Sequence, residues 1–521
     1  MTFAKAMVTS PCTKASEAGA DILRRGGNAI EAGVAMAGVL AVTQPHFCGL
    51  GGDAVWLVAD DTGRQTSLLG IGQAAQAVRA GQPIDQRGPG SMLTTACAVD
   101  SWDAALAYSQ EHWAGTRSLS ELLEPAIVFA QEGFCVSPSQ VHWLSFRAGE
   151  IAEWPGFAEI FLPDGRAPKV GEVFRQPQLG NSLEAIAKEG AQTFYEGALA
   201  ARIAAGLQAV GSPLTLADLA DTKTRCAAPL ATDYRGMTLL APPAPTQGIT
   251  TLQAMKVLSA FDVGALEEGG ADHFHLAVEA IKQAFIQRSA IADPDFCTVD
   301  MKSALSTVNL QKMAEDVNIS QAMRWPHLYR QGDTVFFAAT DAQGQSVSVL
   351  QSTYFDWGSG VVAGDTGVLW QNRGAAFSMD PASPNVLEPG KRPFYTLNPG
   401  IALKAGKPHF LYGTQGADGQ PQTLVMLLTR LIDFKMDVVA ALRGPRFLLG
   451  KTFSDSSDNL KVEADVGDET LGRLQKMGHQ VSTIPALSPL AGQAGVIRID
   501  EAGLVGGAHD PRSDGAALVV G

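Results

Sequence analysis

A glycine-rich loop, two close histidines and a threonine heading a strand–turn–strand pattern are the features of this 521-residue sequence that invite a chemical reading. The loop Gly49-Leu50-Gly51-Gly52-Asp53 has the composition of a phosphate cradle. It follows a helical pattern and leads into a strand-like run, Ala54 to Ala59, which is the reverse of the order a nucleotide fold requires. A structural turn is the expectation. His273 and His275 lie two apart in a helical stretch and point in different directions, so a metal pair is not expected; one should face solvent and the other be buried. Thr334 opens Thr-Val-Phe-Phe-Ala-Ala-Thr340, a strand followed by the turn Asp341 to Gly344 and an alternating return strand, Ser346 to Ser352. A threonine hydroxyl is a weak nucleophile until a base takes its proton. At a chain N-terminus its own α-amine, with a reference pKa of about 7.7–8.0, can be that base. This chemistry needs the backbone cut before Thr334, and on pattern alone a strand-opening threonine is structural in most proteins. No His-Glu-x-x-His, Walker loop, Gly-x-Ser-x-Gly elbow or Cys-x-x-Cys pair occurs, and neither a metal nor a cofactor is expected.

The elements that must carry such residues follow from composition and periodicity. With 46% hydrophobic and 18% charged residues the chain has the make-up of a soluble globular enzyme with a large core. Its net charge of −14 argues against nucleic acid or an anionic membrane as partner. Six scattered cysteines and a non-basic N-terminus point to the cytoplasm. Helices are expected over Thr13–Arg25, stopped by Gly26-Gly27, and over Ala29–Val42, apolar on nearly all sides and therefore central. From Ser118 to about Ala290 the pattern is mainly helical. Lys302 to Asp333 is polar and irregular, as in an exposed linker. Beyond it come strands at Thr334–Thr340, Ser346–Ser352 and Val368–Gln371, and on either side of Ala405-Gly406. Helices first and strands later suggest stacked layers, helices outside and sheets inside.

Taken in order, the short motifs resemble the gamma-glutamyltranspeptidase family over essentially the whole chain. They are Asp21-Ile-Leu-Arg-Arg-Gly-Gly-Asn28, Ala41-Val-Thr-Gln-Pro45, Gly49-Leu-Gly-Gly52, Asp233-Tyr-Arg-Gly236, Ala292-Asp-Pro-Asp-Phe296, Gly358-Ser-Gly360, Pro384-Asn-Val386, Lys391-Arg-Pro393 and Asp510-Pro-Arg-Ser513. The resemblance implies an α+β fold of the N-terminal-nucleophile type, a four-layer αββα sandwich made as one inactive precursor. It implies self-cleavage between Asp333 and Thr334 into a large fragment, 1–333, and a small one, 334–521. The two together would form one catalytic domain, a heterodimer whose further assembly is open. It also implies Thr334 as nucleophile, Ser352 as the hydroxyl bonded to it, and backbone N–H groups of Gly416 and Ala417 as the oxyanion hole. Ala417 replaces a glycine, which is harmless if its φ is negative and strained if positive.

The departures from the family pattern bear on substrate. The arginine that binds a glutamyl α-carboxylate is missing from Gly70-Ile71-Gly72, and the acid that grips the α-amine falls at Ala376. The paired serines after Lys-Arg-Pro become Tyr395-Thr396, an asparagine becomes Tyr354, and the lid segment is short, Asn385 to Lys391. Tyr354, Phe355, Trp357 and Tyr395 should narrow the pocket, with Thr396 beside them. Arg373 suits a carboxylate, although pairing with a surface acid is an equal alternative for it. A small acidic amide is then the expected substrate. Within the family the chain is most similar to the oxamate amidohydrolase branch, which is linked to purine-nitrogen breakdown and releases oxalate and ammonia. A glutaryl-cephalosporin acylase-like amidase, a gamma-glutamyl hydrolase or transferase, and an uncleaved, non-catalytic binding homologue are the alternatives.

Overall fold

The computed structural model describes residues 4–298, 300–325, 332–451 and 457–521. Two sheets lie face to face. The seven-stranded one runs Ala516–Val520, Ala6–Ser10, Asp333–Thr340, Ser346–Tyr354, Asp53–Ala59, Gln65–Gly70, Arg225–Ala227. The six-stranded one runs Val505–His509, Ala494–Ile499, Lys407–Thr414, Gly400–Lys404, Met237–Ala241, Leu230–Tyr234.

Alternation along each strand sorts the side chains into three buried layers. On the strand of Thr334, Val335, Phe337 and Ala339 join a core built with the helices Thr13–Arg24, Ala29–Thr43 and Leu119–Glu132. Phe336 and Ala338 point the other way, into the space between the sheets, where Leu57, Leu350, Leu411 and Ile497 meet them. A third core packs the helices Gly248–Leu258, Ala271–Arg288 and Gln420–Ile432 on the far face of the smaller sheet. Helix, sheet, sheet, helix is the αββα sandwich, and the period of two puts Thr334 on the inter-sheet side with Phe336. Gly413 in the facing sheet makes room for that ring: a Cβ there would lie 2.2 Å from Phe336 Cδ2.

The helix Ala29–Thr43 is buried along its whole length, as its apolar circumference requires. Its start is fixed by Asn28, whose side chain accepts from the N–H of Ile30 and Glu31 while the Glu31 carboxylate takes the Asn28 N–H. This reciprocal cap satisfies groups that would otherwise be stranded in the core.

Three expectations need correction, and one needs an addition. His273 and His275 are both buried, because the helix carrying them is packed on nearly every side. The segment 118–290 is mainly helical as expected, and it also contains strands, including the hairpin Leu230–Tyr234 and Met237–Ala241, whose tight turn places Arg235 and Gly236 at positive φ. Alternation and the Arg-Gly pair were its signal. The polar stretch after Lys302 holds a helix, Thr307–Glu315, capped by Ser306 and burying Leu310 and Met313, while 326–331 lie outside the described residues. Val368–Gln371 is no regular strand: Trp370 N–H goes to Val361 and Gln371 N–H to Gly51, so no single ladder forms. Among the described residues, no helix is long and apolar enough to cross a membrane.

Candidate active site

The register of one strand pair builds the centre of the site. Val335 lies opposite Gln351 and Asp333 opposite Tyr354, so Thr334 alone faces both Ser352 and Thr353. Such a bulge re-aims side chains and is common beside active sites. It leaves Tyr354 at φ +82°, a costly conformation for an aromatic residue.

The Ser352 hydroxyl is thereby brought to the bond before Thr334. It donates to the Asp333 carbonyl oxygen at 2.5 Å and accepts from the Thr334 hydroxyl at 3.3 Å and from the Tyr354 N–H at 2.8 Å. A hydroxyl chain thus runs from Thr334 Oγ1 through Ser352 to the neighbouring carbonyl. An attack of the Thr334 hydroxyl on that carbonyl carbon would have a path for its proton and a donor already on the oxygen that gains charge.

The residues ahead of the bond are held tightly. A Cβ on Gly332 would stand 2.9 Å from the Ala417 Cβ and 3.2 Å from two carbons of the Tyr354 ring, so the backbone threads a gap only glycine fits without displacement. Asp333 is buried, its Oδ2 meets no partner among the described residues, and burial followed by the charge of Asp356 pushes its carboxyl well above the usual range. Asp356 itself is clasped by Arg87 at 2.8 Å and Arg147 at 2.6 Å. A cavity of about 480 Å³ opens beside Gly332, Asp333 and Gly416, with Trp143, Phe146 and Leu490 among its walls.

Gly416 and Ala417 form the turn leading through Ala417–Gly419 into the helix Gln420–Ile432. Their φ values are +119° and +44°, so Ala417 carries the strain foreseen for a positive φ. The turn is braced from behind. Gln247 donates to the carbonyls of Thr396 at 2.6 Å and Ala417 at 2.8 Å, and Arg288 joins Gln247 to Asp418. N–H groups at a helix start are suited to an oxyanion.

Arg373 lies at the head of a short turn, Arg373–Ala376, and is fully buried rather than at the surface. Its guanidinium is stacked between the rings of Tyr354 and Tyr395, 3.8 Å from each centroid, and among the described residues none of its three nitrogens has a hydrogen-bond partner. Burial lowers its pKa to about 10, which still leaves it charged at neutral pH. A buried cation with two π-faces and no acid bonded to it is set up for an anion. Nearby, the Asp53 carboxyl accepts the N–H of Cys97 at 2.7 Å, the N–H of Gly72 at 3.0 Å and the Tyr395 hydroxyl. The two clamp positions are apolar in their surroundings: Ile71 belongs to the inter-sheet core and Ala376 packs with Tyr354 and Phe355.

Thr334, Ser352, Tyr354, Arg373, Tyr395 and the Ala417 turn are thus joined by direct contacts or one intervening residue. Thr396 enters through its carbonyl. Trp357 does not line this region: at φ +60° it turns into the helix-side core, against Phe157 and Phe161. Asp53, Gln247 and Arg288 went unread in the sequence. For Asp53 the signal was an acid at the start of a strand whose odd positions face the inter-sheet core.

A possible metal cluster is already engaged. His275, Glu279 and His479 bring ligand atoms within 4.8 Å of one another. His275 bonds His479 and the Asn318 carbonyl, each at 2.8 Å, while Glu279 takes the Lys282 ammonium at 2.7 Å and the Met323 N–H at 2.9 Å. Lys282 is the cation there, and the cluster clamps residues 318–323.

Residues 15–520 match the sequence model of the family described as gamma-glutamyltranspeptidase. The chain is 40% identical to the glutathione hydrolase-like YwrD proenzyme of Bacillus subtilis, covering 99% of this chain and 98% of that one. It is also 40% identical to the oxamate amidohydrolase proenzyme of Klebsiella pneumoniae, covering 98% of each. Among solved structures, cephalosporin acylase from Bacillus halodurans superposes with a TM-score of 0.90 at 31% identity, over 99% of this chain and 96% of that one.

Proposed function

This chain belongs to the gamma-glutamyltranspeptidase family of amide-bond hydrolases, and within it we propose that it is a self-processing threonine amidohydrolase acting on oxamate. Thr334 Oγ1 attacks the Asp333 carbonyl carbon, the C–N bond breaks, and an ester joins Asp333 to the threonine side chain. Water cleaves the ester, leaving fragments of 333 and 188 residues (521 minus 333) and a free α-amine on Thr334. In the mature site that amine takes the Thr334 hydroxyl proton. The alkoxide adds to the amide carbon of oxamate, ammonia leaves with a proton, and water releases oxalate from the acyl-enzyme. N–H groups of the Gly416–Ala417 turn hold the oxyanion. The six cysteines are all free, which supports a cytoplasmic enzyme.

The observation that carries the substrate reading is Arg373, a buried guanidinium with no hydrogen-bond partner among the described residues. It lies against Tyr354, whose N–H bonds the serine that bonds the nucleophile. A small carboxylate-bearing amide offers the anion it lacks, and the 40% identity to an oxamate amidohydrolase agrees. With Ala376 in place of the clamp's acid, a glutamyl ammonium would be buried unpaired. On the processed protein, kcat/KM for oxamate should exceed that for a gamma-glutamyl anilide; a preference for the anilide overturns the oxamate reading. The apolar cavity beside Asp333 favours a second reading, an acylase for amides with a bulkier apolar group, and a cephalosporin amide in the same assay tests it.

Ser352→Ala should slow self-cleavage and, once the protein is fully processed, lower kcat by about 10–100-fold with little change in KM, as for a contact made in the transition state. A gel time course and steady-state rates check both. An unchanged kcat removes Ser352 from the mechanism.

A further inference from the structure

Asp53 opens the strand next to Ser352 and lies opposite it in register. Its odd-numbered neighbours Val55 and Leu57 face the inter-sheet core, so Asp53 is on the same face and at the same end as Ser352 and Thr334. Its carboxyl is fully buried, and it is anchored from three other segments: the Gly72 N–H after Gln65–Gly70, the Cys97 N–H at the start of the helix Ala98–Trp113, and the Tyr395 hydroxyl. Tyr395 is also one of the two rings stacked on Arg373. Asp53 is therefore the acid that holds one wall of the guanidinium slot without itself bonding the guanidinium.

We infer that Asp53 is a positioning residue that sets the charge of the anion slot, so that an anionic ligand binds Arg373 together with one proton taken up by Asp53. The inference rests on the reading of Arg373 as carboxylate anchor. With Asp53 ionised, Arg373 and Asp53 sum to zero, and an entering carboxylate leaves the closed slot with an uncompensated negative charge. With Asp53 protonated, the slot carries the single positive charge of Arg373 and the ligand neutralises it. Affinity for an anion should fall as pH rises through the titration of Asp53.

Burial places that titration at about 7, against the lowering effects of its hydrogen bonds and of Arg373. Among the side chains facing Asp53 none changes charge there, but the Thr334 α-amine freed by processing, with a reference pKa of about 7.7–8.0, does, and it too loses positive charge as pH rises. The Cys97 thiol, and the Tyr195 hydroxyl beyond it, are pushed well above their usual values by burial. Arg373 stays protonated, and Gln371 and Ser352 do not ionise.

The experiment uses processed protein and oxalate, with binding measured by calorimetry between pH 6 and 9 in buffers of differing ionisation enthalpy. The wild-type dissociation constant should rise above neutral pH by at least about tenfold per pH unit, with uptake of up to one proton per oxalate at Asp53 and a further part at the Thr334 α-amine. Asp53→Asn should bind oxalate with a shallower profile and up to one proton less uptake than the wild type, the remainder belonging to that amine. Tyr395→Phe keeps the ring on Arg373 but removes a donor to the ionised carboxyl, so its profile should keep the slope and shift to higher pH. This variant serves if Asp53→Asn does not fold or process. Oxalate binding that is independent of pH, or a profile and proton uptake in Asp53→Asn equal to the wild type's, overturns the role of Asp53 alone. An unshifted profile in Tyr395→Phe does the same. No oxalate binding at any pH overturns the Arg373 reading with it.

Discussion

Thr334→Ala is expected to remain one chain of 521 residues and to hydrolyse none of the amides that the wild type does. The variant loses the nucleophile for both the internal bond and the substrate, and Ser352 then polarises a carbonyl that nothing attacks. Denaturing gels give the first result and an ammonia assay the second. Cleavage of Thr334→Ala at the same bond would mean that another group performs the scission, and the hydroxyl chain through Ser352 would lose its purpose. Thr334→Ser is the companion variant: its hydroxyl sits at the same place in the bulge, and slow but complete processing is expected.

Arg373→Ala should lower kcat/KM for oxamate by about 30- to 5000-fold, equivalent to about 2–5 kcal/mol, because a substrate carboxylate is left in a closed site without its counter-charge. Arg373→Lys should raise KM as well, since an ammonium has neither the planar fork for two oxygens nor a flat surface to lie between Tyr354 and Tyr395. The same residue makes an opposite prediction for stability. A fully buried cation with no hydrogen-bonded partner is a cost to the free protein, so Arg373→Met should melt at a higher temperature than the wild type while losing substrate. Thermal melts with and without oxalate separate the two effects: oxalate should raise the melting point of the wild type and leave that of Arg373→Met unchanged. If Arg373→Ala hydrolyses oxamate normally, the anchor lies elsewhere and the amidohydrolase reading stands without it.

The layered fold was legible because its strands alternate strictly. Thr334, Phe336 and Ala338 differ from Val335, Phe337 and Ala339 in the core they enter, and that division follows from period two alone. Tyr354 and Tyr395 could be expected near the site from their places in the family pattern, and they do stack on Arg373. What stayed hidden depended on backbone irregularity or on distant partners. The two-against-one register at Thr334 has no composition signal, yet it is what aims Ser352. Trp357 was misplaced because a positive φ turns it from the site into the helix-side core. Asp53 was taken as the end of a glycine turn, since the hydroxyl that marks its importance, on Tyr395, comes from 342 positions away. The brace of Gln247, Arg288 and Asp418 escaped for the same reason.

The order of strands in the larger sheet fixes what the proposed scission does to the molecule. Residues 516–520 lie beside 6–10, which lie beside 334–340; 346–354 come next, then 53–59. Pieces from either side of the cut therefore alternate across one hydrogen-bonded ladder, and the strand beginning at Thr334 has a neighbour on each edge. Neither product holds a complete sheet or a closed core. The mature particle is then two chains with a single cooperative stability: no binding constant between folded halves describes their union, because pulling them apart is the same bimolecular event as denaturation. Dilution should leave the pair intact, its melting point should be independent of protein concentration as long as unfolding is irreversible, and halves produced separately should be insoluble or unfolded rather than partners awaiting each other.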